Sequence, residues 1–483
     1  MSYGRRVIYS DAAKITPENV ADEVRKAFLV HSTNQAEIKK LYEVYRGKTD
    51  ILRKVKEVRE TINHKINENR AYEIVNFYNG YLFGEPIQYV RREDSKRNTA
   101  DDAIASDINA LNGFAACAGK AACDKKLGEW MFIAGVGYRM TLANDAWVKD
   151  SDESPFVMHS LSPERTFIIH STTVDEKELA AVYVVERSNN EKVFAVYTND
   201  QCYEFTEFGP VTVKPNTLGM IPIVEYPIET SRLGIFEVVL DQLNALNELQ
   251  SNRMDDIVQF VNSFLAVLGA ELDEETYKRL EEWKTLCLPE GSDAKYLSAN
   301  MSQSDVQTLK NDILDAIMTI TGIPNRNGGS STSDNGVAVQ LRDGWQDAEA
   351  RAKGVETMFK EAETKTLKLV LRILRDTTGT SLKLADIEPH FTRRNYENIA
   401  SKSQVLISML NNPNIHPELA FAYCGMFVDP ESAYLQSMAW KEEQQKKEAE
   451  RIADSGRSAL PEGTPGRDEV RSEVGQSERA GAD

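Results

Sequence analysis

The sequence is poor in cysteine and has no long apolar run. Its 483 residues include five scattered cysteines: Cys117, Cys123, Cys202, Cys287 and Cys424. An odd, dispersed set argues against a disulfide framework, and no nearby Cys or His pair completes a zinc site with the first two. No stretch reaches the ~18 apolar residues of a membrane span, and the N-terminus lacks the apolar region of a signal peptide. We therefore expect an intracellular protein with no metal site and no membrane contact.

An excess of positive charge is also missing. The chain has 57 Lys and Arg residues against 75 Asp and Glu residues, which gives a formal net charge of -18. A protein that grips DNA needs a basic surface to displace counterions from phosphate. This chain can therefore handle DNA only by enclosing it or by local contacts. Its length also predicts two or more substructures, because a single simple core does not grow to this size.

Catalytic motifs are missing as well. The nearest approach to a phosphate loop is GFAACAGKAA, Gly113 to Ala122, but its glycines are one residue too far apart. Ala121 also occupies the place of the magnesium-binding hydroxyl. Gly135-Val136-Gly137 lacks the third glycine of a dinucleotide site, and neither HExxH nor GxSxG occurs. The histidines are dispersed: His31, His64, His159, His170, His390 and His416. We predict no catalytic residue, no cofactor and no metal ligand.

The first part of the chain has the pattern of helices. We predict a helix that starts at Thr16-Pro17-Glu18, a second from Thr33 to about Arg46, a third from Glu68 to Phe83, a strand at IQYVRR, and helices from about Asp101 to Ala134. Gly84 suits a left-handed residue after the third helix. From Gly135 to Tyr226, runs of β-branched and aromatic residues predict an antiparallel meander that closes with GMIPIVEYP.

The second half alternates long helices with short insertions. Leu233 to Asn262 reads as one helix whose apolar face is interrupted by Asn244, Asn247, Gln250 and Asn252. Two interpretations are open: a plain amphipathic helix, or a helix packed against copies of itself, where amides bond across the contact. A strand-helix-strand excursion follows up to about Ala299. The next helix ends at Gly322 and Pro324.

Pro324 to Gln340 reads PNRNGGSSTSDNGVAVQ, a small and polar run between two helical segments. The run follows a helix and its charges, Arg326 and Asp334, offset each other, so it is not a phosphate cradle. A helix of about 37 residues, Val339 to roughly Arg375, follows with a heptad-like apolar stripe. We expect a spine that crosses a larger domain in preference to a free coiled coil. A return strand in SLKLADIEPHFTRR, helices from Asn395 to Tyr434 and a charged helix that frays into a disordered tail complete the chain.

The order of these parts resembles the portal proteins of long-tailed double-stranded DNA phages over roughly residues 35 to 435. The specific pieces are VNFYNGYLFGEPIQY (Val75 to Tyr89), GMIPIVEYP (Gly219 to Pro227), LDQLNALNELQSNRMDDIVQFVNSFLAVLG (Leu240 to Gly269) and NGVAVQLRDGWQDAEAR (Asn335 to Arg351). The resemblance implies an α+β, mainly helical portal fold with wing, stem, clip and crown, assembled as a ring of usually twelve subunits at a capsid vertex. The first ~30 residues and the tail after about Ser455 have no clear counterpart.

The resemblance also implies an organisation of the chain. The implied parts are an N-terminal segment (1–34), the wing (35–232), the first stem helix (233–262), the clip (263–302), the second stem helix (303–323), the channel loop (324–338), a long wing helix with its return strand (339–394), the crown (395–440) and the charged tail (441–483). The DNA-facing residues would be Asn325, Arg326, Asn327, Gly328, Gly329, Ser330, Ser331, Thr332, Ser333, Asp334 and Asn335. Subunit packing in the stem would use Leu243, Asn244, Leu246, Asn247 and Gln250.

The implied partners are further copies of the chain, double-stranded DNA in the channel, the large terminase subunit, the major capsid and scaffold proteins, and a head-completion (adaptor) protein. The implied location is the capsid vertex of the virion, with the host cytoplasm during assembly. Two alternatives are kept. One is a non-enzymatic α-helical scaffold or coiled-coil adaptor built on the long helix, and the other is a nucleotide-dependent enzyme that uses Gly113 to Lys120.

Overall fold

The computed structural model describes residues 4–57, 60–92, 101–149, 152–188, 191–207, 209–261, 264–268, 278, 291–297, 303–324, 344–393, 399–427 and 430–457. The chain divides into two compact units, Met1–Asn395 and Tyr396–Asp483. The helices of the first unit are α1 (Val20–Tyr45), α2 (Arg70–Phe83), α3 (Asp101–Cys117), α4 (Lys120–Ala134), α5 (Leu240–Val261), α6 (Gln303–Thr321) and α7 (Trp345–Thr377). Those of the second are α8 (Ile399–Leu410), α9 (Pro417–Tyr423) and α10 (Pro430–Arg457). The predicted α+β, mainly helical class is confirmed.

All the described strands lie in the first unit. They are β1 (Ile8–Ser10), β2 (Gln88–Arg91), β3 (Val136–Ala143), β4 (Phe156–Leu161), β5 (Thr166–Ser171), β6 (Glu178–Glu186), β7 (Lys192–Tyr197), β8 (Gln201–Thr206), β9 (Thr212–Pro215), β10 (Ile223–Pro227), β11 (Phe264–Leu268), β12 (Asp293–Leu297) and β13 (Ile387–His390). They form a six-stranded sheet in the order β1-β5-β6-β7-β8-β9, a three-stranded sheet β10-β3-β4, and the pairs β11-β12 and β13-β2. The predicted single meander is therefore divided between two sheets.

The N-terminal segment belongs to the large sheet. β1 pairs with β5 in parallel, with Ile8 opposite Ile169. Val20, Val24 and Ala27 of α1 share one hydrophobic cluster with that sheet. The structure thus has no break at residue 34, where the expected N-terminal segment ended. The reason is non-local, because burial against a strand some 160 residues away decides where β1 and α1 lie.

One helix, α1, replaces the two helices predicted before Arg46. Its buried side chains continue at three- and four-residue spacing through the predicted break, including His31, Asn34 and Ile38. Ser32 does not start a new helix, because its hydroxyl donates to the carbonyl of Leu29 inside the same helix at 2.7 Å. The predicted left-handed conformation of Gly84 is also wrong, since its φ is −71°. Gly84 is required instead by crowding: a Cβ there would lie 2.2 Å from the Gly80 carbonyl oxygen.

The helices of the second half follow the predicted order with shifted starts. α5 begins at Leu240, seven residues later than expected, after a short 3-10 turn at Glu237–Val239. α6 ends as predicted before Gly322, which has a φ of +70°. The predicted helix between the clip strands falls mostly outside the described residues, as does the first turn of the predicted long helix before Gly344. β13 confirms the return strand and pairs with β2.

The described part of the long helix, α7, is a spine inside the first unit. Its buried stripe includes Ala348, Ala352, Phe359 and Ala362, and small residues allow close approach of other elements. Phe359 packs against the rings of Phe83, Tyr226 and Phe391. A helix buried in this way cannot serve as a free coiled coil. The prediction of a domain-crossing spine is confirmed, and the coiled-coil adaptor loses its main support.

A buried ionic cluster fixes α7 to four other elements. Glu363 of α7 is fully buried and accepts from the hydroxyls of Tyr89 at 2.6 Å and Tyr226 at 2.7 Å. Its carboxylate also pairs with Arg139 of β3 at 2.6 Å and Lys120 of α4 at 3.2 Å. The Asp124 carboxylate pairs with the same two cations, Lys120 and Arg139. The cluster thus contains two carboxylates and two cations. The cluster is balanced in charge, as buried charges must be.

The second unit has a small core of its own. His416 caps the N-terminus of α9, because its ring nitrogen Nδ1 accepts from the backbone N–H of Glu418. The Phe421 ring packs on Phe427 at 5.2 Å between centroids and on Tyr434 at 5.9 Å. The expected interruption at Asn412-Pro413 is confirmed, since α8 ends at Leu410 and α9 starts at Pro417. α10 continues as a charged helix to Arg457, and the tail after it lies outside the described residues.

Replacing Glu363 by Gln should destabilise the first unit strongly. The change leaves Arg139 and Lys120 with Asp124 alone, and loss of one partner from a buried ion cluster costs about 3–5 kcal/mol. Glu361→Gln is the matched control, since Glu361 is exposed on the same helix and should change stability by less than about 0.5 kcal/mol. Urea denaturation followed by circular dichroism measures both. Equal midpoints for the two variants would show that the cluster does not hold the fold.

The same carboxylate should make wild-type stability depend on acid pH. Burial alone would raise the pKa of Glu363, but Arg139, Lys120 and the two tyrosine hydroxyls lower it to about 2. An unfolded glutamate titrates near ~4.3. Its stabilising contribution is thus complete above about pH 5 and is lost as the pH falls toward 2. Thermal unfolding between pH 5 and 2.5 should show a smaller pH dependence in Glu363→Gln than in the wild type, and identical slopes would contradict this.

Candidate functional site

The two predicted stem helices, α5 and α6, lie side by side and run in opposite directions. Near one end, the Arg253 guanidinium of α5 donates to the side-chain oxygen of Gln307 on α6 at 3.0 Å. Further along, Glu68 joins the two helices, because its carboxylate accepts from Lys310 of α6 at 2.8 Å and from Gln250 of α5. The two helices are therefore packed against each other, and the antiparallel β11-β12 pair separates them in sequence.

This helical pair is strongly acidic. α5 and α6 together contain seven acidic residues and two basic ones: Asp241, Glu248, Asp255, Asp256, Asp305, Asp312 and Asp315 against Arg253 and Lys310. Of these acids, all but Asp255 and Asp256 are exposed. Lys310 is already paired with Glu68, at 2.8 Å. A surface of this kind repels phosphate and cannot hold DNA by counterion release.

One face of α5 carries a ladder of polar side chains that the sequence shows at four-residue spacing. Asn247, Ser251 and Asp255 are all buried, and they accept from backbone N–H groups of a neighbouring segment. The donors are Glu68 to Asn247 at 2.8 Å, Ile66 to Ser251 at 2.9 Å and His64 to Asp255 at 2.7 Å. A helix rises about 6 Å in four residues and an extended chain about 6.6 Å in two, so the two spacings match.

Asp255, the most C-terminal residue of the ladder, also forms ion pairs. Its side chain has no solvent exposure and pairs with Lys56 at 2.5 Å, His64 Nδ1 at 2.8 Å and Lys54 at 3.5 Å. Burial alone would raise the pKa of Asp255, but the His64 N–H groups and the Lys56 ammonium hold it well below its usual range. The carboxylate is therefore ionised at every physiological pH. It holds Lys54, Lys56 and His64 against the second half of α5.

The ladder changes the interpretation of the amides in the first stem helix. Leu243, Leu246 and Asn247 are buried within the chain, and Asn247 also donates to the side chain of Asn67 at 3.1 Å. Gln250 is half-buried and bonded to Glu68. Only Asn244 of the five predicted subunit contacts is exposed. Asn247 and Gln250 thus have partners inside one subunit. Their part in packing between subunits stays a prediction, which now rests on Asn244 and the open side of Gln250.

The described residues on either side of the predicted channel loop, Pro324 and Gly344, lie close together. A Cβ built on Gly344 would lie 4.0 Å from the Cα of Pro324, so the chain leaves and returns at the same point. Both ends carry a glycine with positive φ, Gly322 at +70° and Gly344 at +80°. The loop residues themselves, Asn325 to Asn335, lie outside the described residues. The chain therefore returns to the point that it left, which a linker between two separate bodies would not do.

Two hydrogen bonds fix this base to the body of the subunit. The buried Tyr78 hydroxyl donates to the carbonyl of Thr321, the last residue of α6, at 2.7 Å. Arg351 of α7 donates to the carbonyl of Ile320 at 2.7 Å. Both carbonyls belong to the last turn of α6, whose backbone acceptors have no partner within the helix. The start of the loop is thus held in a defined position.

Lys120 cannot reach a phosphate, so the phosphate-loop alternative is wrong. Lys120 is 3% exposed, and its ammonium pairs with Asp124 at 2.6 Å and Glu363 at 3.2 Å. Gly113 lies within α3 and not in a loop after a strand. Lys120 therefore neutralises core carboxylates. The described residues also contain no group of three or more His, Cys, Asp or Glu side chains that could hold a metal ion.

No described helix is both long and apolar enough to cross a membrane.

The comparison with known proteins identifies one family. The family described as "Phage portal protein, SPP1 Gp6-like" matches residues 29–459. No curated protein matches the chain. Among solved structures, the "Neck of empty GTA particle computed with C6 symmetry" has a TM-score of 0.45 at 15% identity and covers 74% of this chain and 90% of that one. The "Virion of native gene transfer agent (GTA) particle" has a TM-score of 0.43 at 14% identity, with coverages of 74% and 89%. TM-scores of this size support no conclusion about assembly or function.

Asp255→Ala should release the segment that runs along α5. Without the carboxylate, the backbone N–H of His64 loses its acceptor and Lys56 loses its ion pair, while Lys54 keeps its hydrogen bond to Asn252. We expect amide hydrogen exchange over residues 60–68 to accelerate at least about tenfold, because local opening then costs about 1.4 kcal/mol less. Asp256→Ala removes the same charge from the next position and serves as the control. Equal exchange in the two variants would show that the ladder does not fix this segment.

Proposed function

The chain belongs to the SPP1 Gp6-like family of phage portal proteins, and on that premise we propose how its parts work. It is a portal protein, which belongs at the capsid vertex of a phage-type particle, self-assembles and joins capsid to tail. We propose that about twelve copies form a ring and that double-stranded DNA passes through its central channel during packaging and ejection. The chain itself would carry no catalytic activity, and the ATPase that drives the DNA would be a separate protein.

The observation that carries this proposal is the acidic pair of helices that ends in a closed, anchored loop. Five exposed carboxylates on α5 and α6 would repel DNA phosphates from a channel wall. A wall that bound phosphate tightly would have to release it at every step, and each neutralised phosphate adds to the counterion-release term. A negatively charged conduit with one small, near-neutral loop per subunit allows DNA to slide.

We assign the parts of the chain accordingly. α5 and α6 are the stem, and the segment from Phe264 to Leu297 between them is the clip, which would meet the terminase large subunit during packaging and a head-completion (adaptor) protein afterwards. Residues 324–338 are the channel loop. The six-stranded and three-stranded sheets, with β2, β13, α1–α4 and α7, form the wing, and residues 395–440 form the crown, with the charged tail after it. The wing and the tail are the surfaces that would contact the major capsid and scaffold proteins.

The ring is tested by the mass and image of the purified chain. We expect particles whose mass is a multiple, near twelve, of the 54.3 kDa subunit, with a central hole in negative-stain class averages. Native mass spectrometry gives the subunit number, and dilution shows whether the ring is stable. A chain that stays monomeric or dimeric at every concentration would refute the proposed channel.

The loop is tested by shortening it. Deleting Gly328 to Asp334 should leave the ring intact, because the base at Pro324 and Gly344 is held by Tyr78 and Arg351 outside the deleted part. DNA packaged per capsid should fall at least about tenfold, because the loop no longer reaches the DNA. A control variant replaces the same seven positions by a Gly-Ser sequence of equal length. It shows whether packaging depends on the length of the loop or on its side chains. Normal packaging by the deletion variant would remove the role assigned to the loop.

A further inference from the structure

An apolar groove of about 350 Å³ lies between the approach to α5 and the start of α7. One wall is the segment from Ile228 to Val238, and the other is a stripe of α7 made by Arg351, Gly354, Val355 and Met358. Val238, at the edge of the groove, is 48% exposed. Glu229 and Arg351 are exposed at the rim. An apolar floor inside a charged rim is the anatomy of a protein interface.

The groove is formed before anything enters it. Its first wall is attached to the end of α4, since Ile235 donates to the Phe132 carbonyl at 2.8 Å and Ile228 to the Gly135 carbonyl at 3.0 Å. A Cβ on Gly234 would lie 2.3 Å from the carbonyl oxygen of Ile133, so the two backbones are in direct contact. The other wall is a continuous helix whose opposite face is buried. A rigid groove of this kind needs little reorganisation to bind a partner.

The second observation is a glycine within α7, Gly354, which no contact within the described residues requires. Glycine inside a helix is unfavourable relative to alanine. Gly354 does not have a positive φ, and a Cβ there would meet no described atom within 4 Å. Gly128 in α4 is different, because its Cβ would lie 2.4 Å from the Phe83 ring. Gly80 and Gly113 are also open, but neither lines this groove. A glycine at the floor of an apolar groove suits a close approach from outside the subunit.

We propose that this groove receives apolar side chains of the neighbouring copy of the chain, which packs directly against Gly354. The inference rests on the proposed ring. In a ring, each subunit offers one surface to the next and receives a different one from the previous subunit. The chain supplies the other half of such a contact, because Met254, Ile257, Leu309 and Ile320 are exposed on α5 and α6. The neighbour therefore has apolar side chains that need cover.

The first test fills the groove without damaging the helix. Leucine is a better helix former than glycine, so Gly354→Leu should keep or raise the melting temperature of the dissociated subunit, by about 2 °C. Ring formation should need at least a tenfold higher concentration, because the new side chain occupies the space of the neighbour. Gly113→Leu is the control, with the same change at an open helical position, and should form rings as the wild type does. Rings of Gly354→Leu at wild-type concentrations would overturn the proposal.

The second test locates the occupant. A photo-reactive benzoylphenylalanine in place of Val238 should yield covalent dimers and higher ladders on a denaturing gel when rings are irradiated. Irradiation of dissociated subunits should yield none. Rings that form normally but give only uncrosslinked chains, or a crosslink within one chain, would show that the groove is empty or self-filled and would overturn the inference. If the wild type forms no ring at all, the proposed channel fails first, which is a separate outcome.

Discussion

The charge balance around Glu363 is the constraint on which the first unit depends. The fully buried Glu363 carboxylate of α7 contacts four other elements. Its partners are Tyr89 of β2, Lys120 of α4, Arg139 of β3 and Tyr226 of β10. Such a cluster adds little net stability compared with an apolar core, but it tolerates no missing member. It thus selects a single arrangement of five elements. The long helix can act as a spine because its middle is held in this way.

The acidity of the chain and its polar stem have two separate explanations. The exposed carboxylates of α5 and α6 suit a surface that must not bind phosphate. The buried polar residues of α5, Asn247, Ser251 and Asp255, serve an internal purpose, because they hold a non-helical segment whose backbone donors would otherwise be unsatisfied. The contacts of Asn247, Ser251 and Asp255 within the subunit already fix the position of α5. Hydrogen bonds between amides of neighbouring subunits are therefore not needed for that purpose.

Sequence reasoning succeeded where a signal is local and periodic. The end of α6 at Gly322, the stripe of α7 and the strand β2 follow from glycine, helical spacing and β-branched residues. It failed where the deciding contact is distant. β1 is three residues long and is fixed by parallel pairing with β5. Lys120 looked like part of a degraded phosphate loop because Asp124, Arg139 and Glu363 come together only in the fold. The four-residue spacing of the polar residues 247, 251 and 255 is visible in the sequence. The segment that they bind has no periodic pattern, so the contact itself could not be predicted.

Contacts spaced along α7 fix this helix at its start, its middle and its end. A helix of 33 residues spans about 50 Å. Its first turns hold the loop base through Arg351, and its middle is fixed by Glu363. Further along, Arg375 donates to the carbonyl of Leu382 at 2.9 Å and so fixes the chain where it turns toward β13. A force on the proposed channel loop would therefore pass into the core through one continuous hydrogen-bonded helix. The groove beside Gly354 lies between the first two anchors, where a neighbouring subunit would support the part of the spine that the chain itself leaves uncovered.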